Sequence, residues 1–541
     1  MSTTGSTGTP SATDPTATPG TTGSTVSTGT TVTMGSTVST GTTVTMGSTV
    51  STGTVVTTDR GPVRGERRAD GSLRFLGIPY AQPPVGDLRF AAPVPPEPWT
   101  EPLDATAYGP TAQRRPFAEI TTIPEPSVPG AGILNLNVFT PGTEPAAALP
   151  VLVWIHGGGY VAGSAASPWY DGAAFNRDGV VLVSVGYRLG IEGFLHLEDA
   201  PDNRGVRDWI AALEWVRDNI AAFGGDPAKV TVAGQSAGGG AVQTLLAVPA
   251  AQGLFRGALS VSGAVPRPDG PEVARAASRL LTARTGVPAT AAALRDLGDD
   301  EILALQDRVN EPGPDREGLP PMLSFAPFAD GELVPLPVLD ALTAGGAGAD
   351  VPLMLGFTEH EFTMFPGPGP EGPPLPVLLG GLGLDPAHTD ALMEAYAEDG
   401  PERIFGQALT DATFRAPNLA VADARASRER PTWLYEFAWR SPAADLAFHC
   451  VDLPFAFDLL DAEGVPAVAG DAPPRALADA VHRAWVAFVT DQDPGTDWPR
   501  YTEAGRATMI WDTEPRVASD PVHRVRELWL DRVPGGPGRQ D

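Results

Sequence analysis

The 541-residue chain holds a single cysteine, Cys450, and a single lysine, Lys229. One cysteine closes no intrachain disulfide and supplies no cysteine-rich zinc site, which excludes a stapled secreted scaffold. Positive charge is scarce throughout: 37 Lys and Arg stand against 65 Asp and Glu, a net charge of −28. Nucleic acid requires a clustered basic surface and an anionic membrane repels such a chain, so neither is an expected partner. Long apolar runs are missing too. Val151–Ile155 and Val180–Val183 fall far short of the ~18–20 residues of a spanning helix, and no membrane span is expected. The N-terminus lacks the positive and apolar segments of a secretory signal, so a cytoplasmic location is expected, with secretion by another route left open. The 62 glycines and 57 prolines together stay below the ~25–30% of whole-chain low complexity.

What is there begins with a repeat. Of residues 1–54, 40 are Ser, Thr or Gly, none is aromatic, and Asp14 is the only charge. The twelve residues from Gly23 to Met34 recur identically from Gly35 to Met46. Such a stretch buries too little apolar area to offset its ordering entropy, and a disordered extension over 1–54 is expected; a flexible tether or stalk is the functional alternative.

From Val55 onward, short β-rich apolar runs alternate with helical patterns, as a mostly parallel sheet covered on both faces requires. Strands are expected at Val151–Ile155, Val180–Val185, Val230–Ala233, Ala258–Ser262, Leu353–Gly356 and Leu434–Phe437. A helix is expected from about Val206 to Phe223, ended by Gly224-Gly225-Asp226-Pro227. No linker interrupts this part. One α/β domain over 55–530 is therefore expected, followed by a tail at 531–541, with Pro312–Pro314 and Pro366–Pro374 as loops within the domain.

The strand Val230–Ala233 runs into Gly234-Gln235-Ser236-Ala237-Gly238, and a helical stretch follows. Gly-x-Ser-x-Gly between a strand and a helix places a serine on a sharp turn, where flanking side chains would clash. A glycine-rich turn with an incidental serine, or one holding phosphate at a helix start, reads equally from the pentapeptide alone. Upstream, His156-Gly157-Gly158-Gly159-Tyr160 closes the strand Val151–Ile155. Consecutive glycines let backbone N–H groups approach a developing oxyanion. With the N–H of Ala237 they would stabilise a tetrahedral intermediate.

At this point the chain resembles the type B carboxylesterase (cholinesterase-like) family of α/β-hydrolases, from Val55 to about Leu530. The resemblance is carried by Phe75–Ala81 with Pro83–Gly86, Arg89-Phe90, Leu136–Pro141, Tyr187–Gly190, Phe223–Pro227, Leu254–Gly257, Ser262-Gly263 and Trp498-Pro499. It implies ester hydrolysis by a Ser-His-Glu triad, with Gly158, Gly159 and Ala237 as oxyanion donors and with neither metal nor cofactor. Triad order in this fold is Ser, acid, His, which sets aside His156, His196 and His360. Of the remainder, His449 matches the family pattern around the catalytic histidine, whereas His388 sits in a polar turn, His482 in a helix and His523 in a charged tail. Glu361 occupies the family position for the acid. Glu359 competes with it, and Asp330 is a distant third that reads as closing a turn.

Three departures from the family pattern matter. Gln235 stands where the family often has an acid before the serine, which disfavours a cationic substrate. Ala131–Leu134 replaces a family disulfide segment. Cys450 adjoins His449, but neighbours in extended backbone point to opposite faces, so it reads as a buried, inert thiol. The expected activity is hydrolysis of small to medium uncharged esters through an acyl-serine, rising with pH near 6–7 as a histidine base would. An amide or carbamate hydrolase with the same triad, and a non-catalytic binding module, are the alternatives. Oligomeric state has no signature in the sequence.

Overall fold

In the computed structural model the described residues are 53–116, 122–265, 269–316, 319, 323–343, 348–365, 373–382 and 384–530. The chain divides into Met1–Val50 and Ser51–Asp541, and all that follows concerns the second unit. Apart from Gly53 and Thr54, the extension expected at 1–54 lies outside the described residues, as does the tail 531–541.

Strands in chain order are β1 (Val55–Thr57), β2 (Pro62–Arg64), β3 (Glu66–Arg67), β4 (Leu73–Pro79), β5 (Leu103–Asp104), β6 (Asn135–Thr140) and β7 (Leu149–Ile155). They continue with β8 (Val181–Val185), β9 (Gly225–Gln235), β10 (Gly257–Val261), β11 (Leu353–Thr358), β12 (Thr432–Phe437), β13 (Ala507–Trp511) and β14 (Arg516–Ser519). A small sheet takes β1, β2 and β5; the large one has the order β14-β13-β12-β11-β10-β9-β7-β8-β6-β4-β3. From β13 to β8 neighbouring strands are parallel, and antiparallel pairs close both ends.

Every residue of β8, β10, β11 and β12 is buried. A strand covered on both faces has no solvent side to alternate with, hence the unbroken apolar runs. Successive residues still divide between the faces: Val151, Val153 and Ile155 of β7 join one core, Leu152 and Trp154 the other. The architecture is the expected α/β one.

The helix Arg204–Asn219 continues as a tighter turn over Ile220–Phe223, and Gly224 (φ 81°) closes it in the left-handed region. Here one expectation is corrected. Gly225-Asp226-Pro227 does not end the helix but opens β9, because Gly225 already pairs with Leu149 of β7; Pro227 is tolerated because it falls in the irregular stretch between the Gly225 and Val230 pairings. Among the described residues no helix is long and apolar enough to cross a membrane.

Candidate active site

Ligands of open α/β sheets bind beyond the carboxyl ends of the parallel strands. The chemistry-bearing side chains collect there, after β7, β9, β11 and β12.

Gln235 ends β9 and the helix Ala237–Ala247 begins two residues later, leaving Ser236 alone to turn the chain at φ 58°, ψ −120°. For a residue with a side chain this conformation costs about 1–3 kcal/mol. It is held because the Ser236 N–H donates to the Val261 carbonyl and its own carbonyl accepts from Gly240 and Ala264. The flanking glycines answer to crowding: a Cβ on Gly234 would lie 2.4 Å from the Gly238 carbonyl oxygen, and one on Gly238 would lie 2.0 Å from that of Ile155.

The loop after β7 packs directly on this turn, since a Cβ on Gly157 would stand 3.1 Å from the Ser236 Cβ. Gly158 has φ 114°, closed to residues with side chains. Among the described residues the N–H groups of Gly158, Gly159 and Ala237 have no acceptor. His156 is not a reactive group here. Its ring stacks on Tyr187, its Nδ1 meets the Gly157 carbonyl at 2.8 Å, and burial holds its pKa at about 4, neutral at physiological pH.

Glu361 lies three residues beyond β11 and is fully buried. Its carboxylate folds back to accept from the Thr358 N–H at 2.8 Å, while the Thr358 hydroxyl accepts from the Glu361 N–H at 3.0 Å. The backbone of Glu361 bridges Phe448, and the His449 N–H donates to the Glu361 carbonyl. These contacts bring Glu361 Oε2 onto His449 Nδ1 in a direct hydrogen bond. Glu359 turns elsewhere, to Arg440 at 3.4 Å. Asp330 accepts from the N–H groups of Glu332 and Val334 and closes a turn. His482 is held by the Ala456 carbonyl and Asp178, and His523 opens the helix His523–Trp529.

With Nδ1–H committed to Glu361, the lone pair of His449 sits on Nε2. The Gln235 amide nitrogen lies 3.1 Å from this atom and 3.0 Å from Cys450 Sγ. The second contact corrects the expectation for Cys450. Its backbone is left-handed (φ 74°) rather than extended, so its thiol shares the face of His449 and borders the same cavity. Burial pushes the thiol pKa up, which keeps it protonated. Burial pulls the imidazole of His449 down, but the Cys450 sulfur and the Glu361 carboxylate outweigh it, and the net direction is well upward. The carboxylate is the cause that acts at neutral pH, where the thiol is protonated.

Ser236, His449 and the Gly157–Gly159 loop line one cavity of about 410 Å³. Its other walls include Leu323, Phe362, Met364, Phe365 and Phe414. Phe362 and Phe414 also pack on the His449 ring, with centroids at 4.9 and 4.8 Å. Phe414 is delivered by a π-helical turn at Asp411–Arg415, a widening common at functional sites. Neither ring could be read from the sequence, where nothing marks a phenylalanine as facing a cavity. Glu125, the one carboxylate among the described lining residues, is engaged by Arg114 and the Gly163 N–H. Among the described residues no group of three or more His, Cys, Asp or Glu could hold a metal ion.

A parallel sheet with a strained serine after one strand, a glycine loop against it, and a histidine and acid after later strands defines an α/β-hydrolase. The carboxylesterase family model matches residues 52–370 and 387–529, and the chain belongs to that family. It is 37% identical over 499 residues to the para-nitrobenzyl esterase of Bacillus subtilis (strain 168), an alignment covering 87% of this chain and 97% of the relative. It is 34% identical over 509 residues to the phenmedipham hydrolase of Pseudarthrobacter oxydans, covering 83% and 94%. Among solved structures, PNB esterase superposes with a TM-score of 0.74 at 36% identity, covering 88% of this chain and all of that one. A Geobacillus stearothermophilus carboxylesterase at pH 6.2 gives 0.77 at 33%, with the same coverage. The protein is a carboxylesterase-family ester hydrolase.

Proposed function

We propose that the chain hydrolyses small to medium uncharged carboxylic esters with Ser236 as nucleophile, His449 as general base and acid, and Glu361 as the orienting carboxylate. The observation that carries this reading is the Glu361 contact on His449 Nδ1, which leaves an Nε2 lone pair beside the turn that presents Ser236. In the first step Ser236 Oγ attacks the ester carbonyl carbon and its proton passes to His449 Nε2. The negative oxygen so formed would be met by the N–H groups of Gly158, Gly159 and Ala237; one such donor is typically worth about a hundred- to a thousandfold in rate. The carbon–oxygen bond then breaks, the imidazolium protonates the departing alcohol, and an acyl-serine remains. Water, deprotonated by the same nitrogen, attacks the acyl-serine; the bond to Ser236 Oγ then breaks, the imidazolium returns the proton to that oxygen, and the acid is released. Gln235 yields the lone pair it holds when Ser236 donates.

Uncharged substrates are favoured because the described walls are mostly apolar, the residue before the serine is the neutral Gln235, and Glu125 is already paired. The name of the Bacillus subtilis relative specifies a para-nitrobenzyl ester, whose alcohol part is uncharged. A fluorophosphonate should label one residue, Ser236, and abolish turnover of a chromogenic ester in proportion. An adduct mapped elsewhere, or none despite turnover, would overturn the assignment. In an ester panel kcat/KM should be higher for neutral esters than for choline esters of the same acyl group, and the opposite ranking would remove the substrate reading.

A further inference from the structure

The loop that carries Glu361 is a wall between two cavities. Phe362, Met364 and Phe365 face the ester site, whereas Glu359, His360 and Thr363 line a second cavity of about 320 Å³. Its other walls bring together Arg403, Arg415 and Arg440 with His523 and Arg524. Four arginines around one cavity are conspicuous in a chain of net charge −28.

Two of the four are neutralised. Arg415 pairs with Glu436 at 2.8 Å and Asp411 at 3.3 Å, and Arg440 pairs with Glu359 at 3.4 Å. Arg403 has no carboxylate partner among the described residues, nor has Arg524, whose guanidinium lies 5.5 Å from the centre of the Tyr396 ring. His360, which lines the same cavity, supplies a neutral donor. His360 is 8% exposed and its Nδ1 accepts from the Ala447 N–H at 3.2 Å, which puts the ring proton on Nε2. That N–H has no acceptor among the described residues. The positive field is felt by this ring: burial and then Arg440, Arg415 and Arg403 each push its pKa down, to about 3.

We propose that this cavity binds a small oxyanion, a carboxylate or a phosphate, between the Arg403 and Arg524 guanidinium groups and the His360 Nε2–H. Planar guanidinium forks match either anion, and the His360 N–H of the same cavity supplies a third donor. The source is either a carboxylate, the class of product that ester hydrolysis releases, or inorganic phosphate.

The full chain should be titrated calorimetrically with sodium phosphate and, separately, sodium acetate, at an ionic strength held constant with sodium chloride. At least one anion should bind saturably and raise the melting temperature, as any ligand selective for the folded state does; the tighter of the two identifies the source. The double variant Arg403→Ala/Arg524→Ala, both side chains lying at exposed positions, should bind at least tenfold more weakly while retaining a cooperative unfolding transition. If that variant does not fold, Arg524→Gln alone serves, with the same loss expected. Absence of saturable binding by both anions, or undiminished binding in the variants, overturns the proposal.

Discussion

The Gln235 side-chain nitrogen stands 3.1 Å from His449 Nε2, so the residue beside Ser236 donates to the lone pair that the proposed mechanism uses. The contact specifies the tautomer of His449 and joins the serine turn to the histidine loop. It also places a neutral group where a carboxylate would dominate the imidazole's titration.

Gln235→Glu should therefore move the pH profile. A carboxylate at this distance favours the imidazolium, which raises the pKa of His449, and a base must be neutral to act. Since Glu361 already pushes that pKa upward, the rising limb of kcat/KM in the wild type should lie above the ordinary histidine value of about 6.5, higher than the sequence alone suggests. The variant should move it to still higher pH. Profiles on one chromogenic ester decide this, and a limb that stays in place or moves to lower pH would contradict it.

Glu361→Gln should lower kcat by several orders of magnitude, since loss of the orienting carboxylate of a triad can cost about ten-thousandfold. Glu359→Gln, in a carboxylate held by Arg440, should stay within about tenfold of wild type. Both are read at saturating substrate. The reverse ranking would transfer the acid role to Glu359.

Cys450→Ala should leave kcat/KM within about tenfold of wild type, because the buried thiol is protonated at neutral pH and only accepts from the Gln235 amide. A loss of several orders of magnitude would show that the sulfur takes part in the chemistry.

Asp452 supplies a stability test. It is buried, and burial followed by the Glu361 charge raises its pKa to about 7. The folded state thus keeps a proton that an unfolded Asp loses near 3.9. The resulting stabilisation is complete below that value and is lost as pH rises through about 7. Asp452→Asn cannot titrate, so its melting temperature should fall less than that of wild type between pH 4 and 8. Parallel slopes in differential scanning calorimetry would contradict the assignment.

Much of this site was legible because its determinants are local. Gly234 is demanded by the turn itself, where a Cβ would meet the Gly238 carbonyl, so strand, pentapeptide and helix declared the elbow in order. The fully buried strands were legible for a similar reason, having no solvent face to interrupt their apolar runs. Sequence alone thus determined the α/β class, the serine turn and the glycine loop beside it.

Which acid meets the histidine was decided by tertiary structure. Glu359 and Glu361 share one irregular loop without a period to orient them, and only the bridge from Glu361 to Phe448, with the Thr358 contacts behind it, aims a carboxylate at a histidine 88 residues away. The left-handed backbone at Cys450, the Gln235 contact across 214 residues and the phenylalanine rings on His449 follow the same rule. Side-chain direction in a loop is set by what the rest of the chain packs against it, and no spacing between neighbouring residues encodes that.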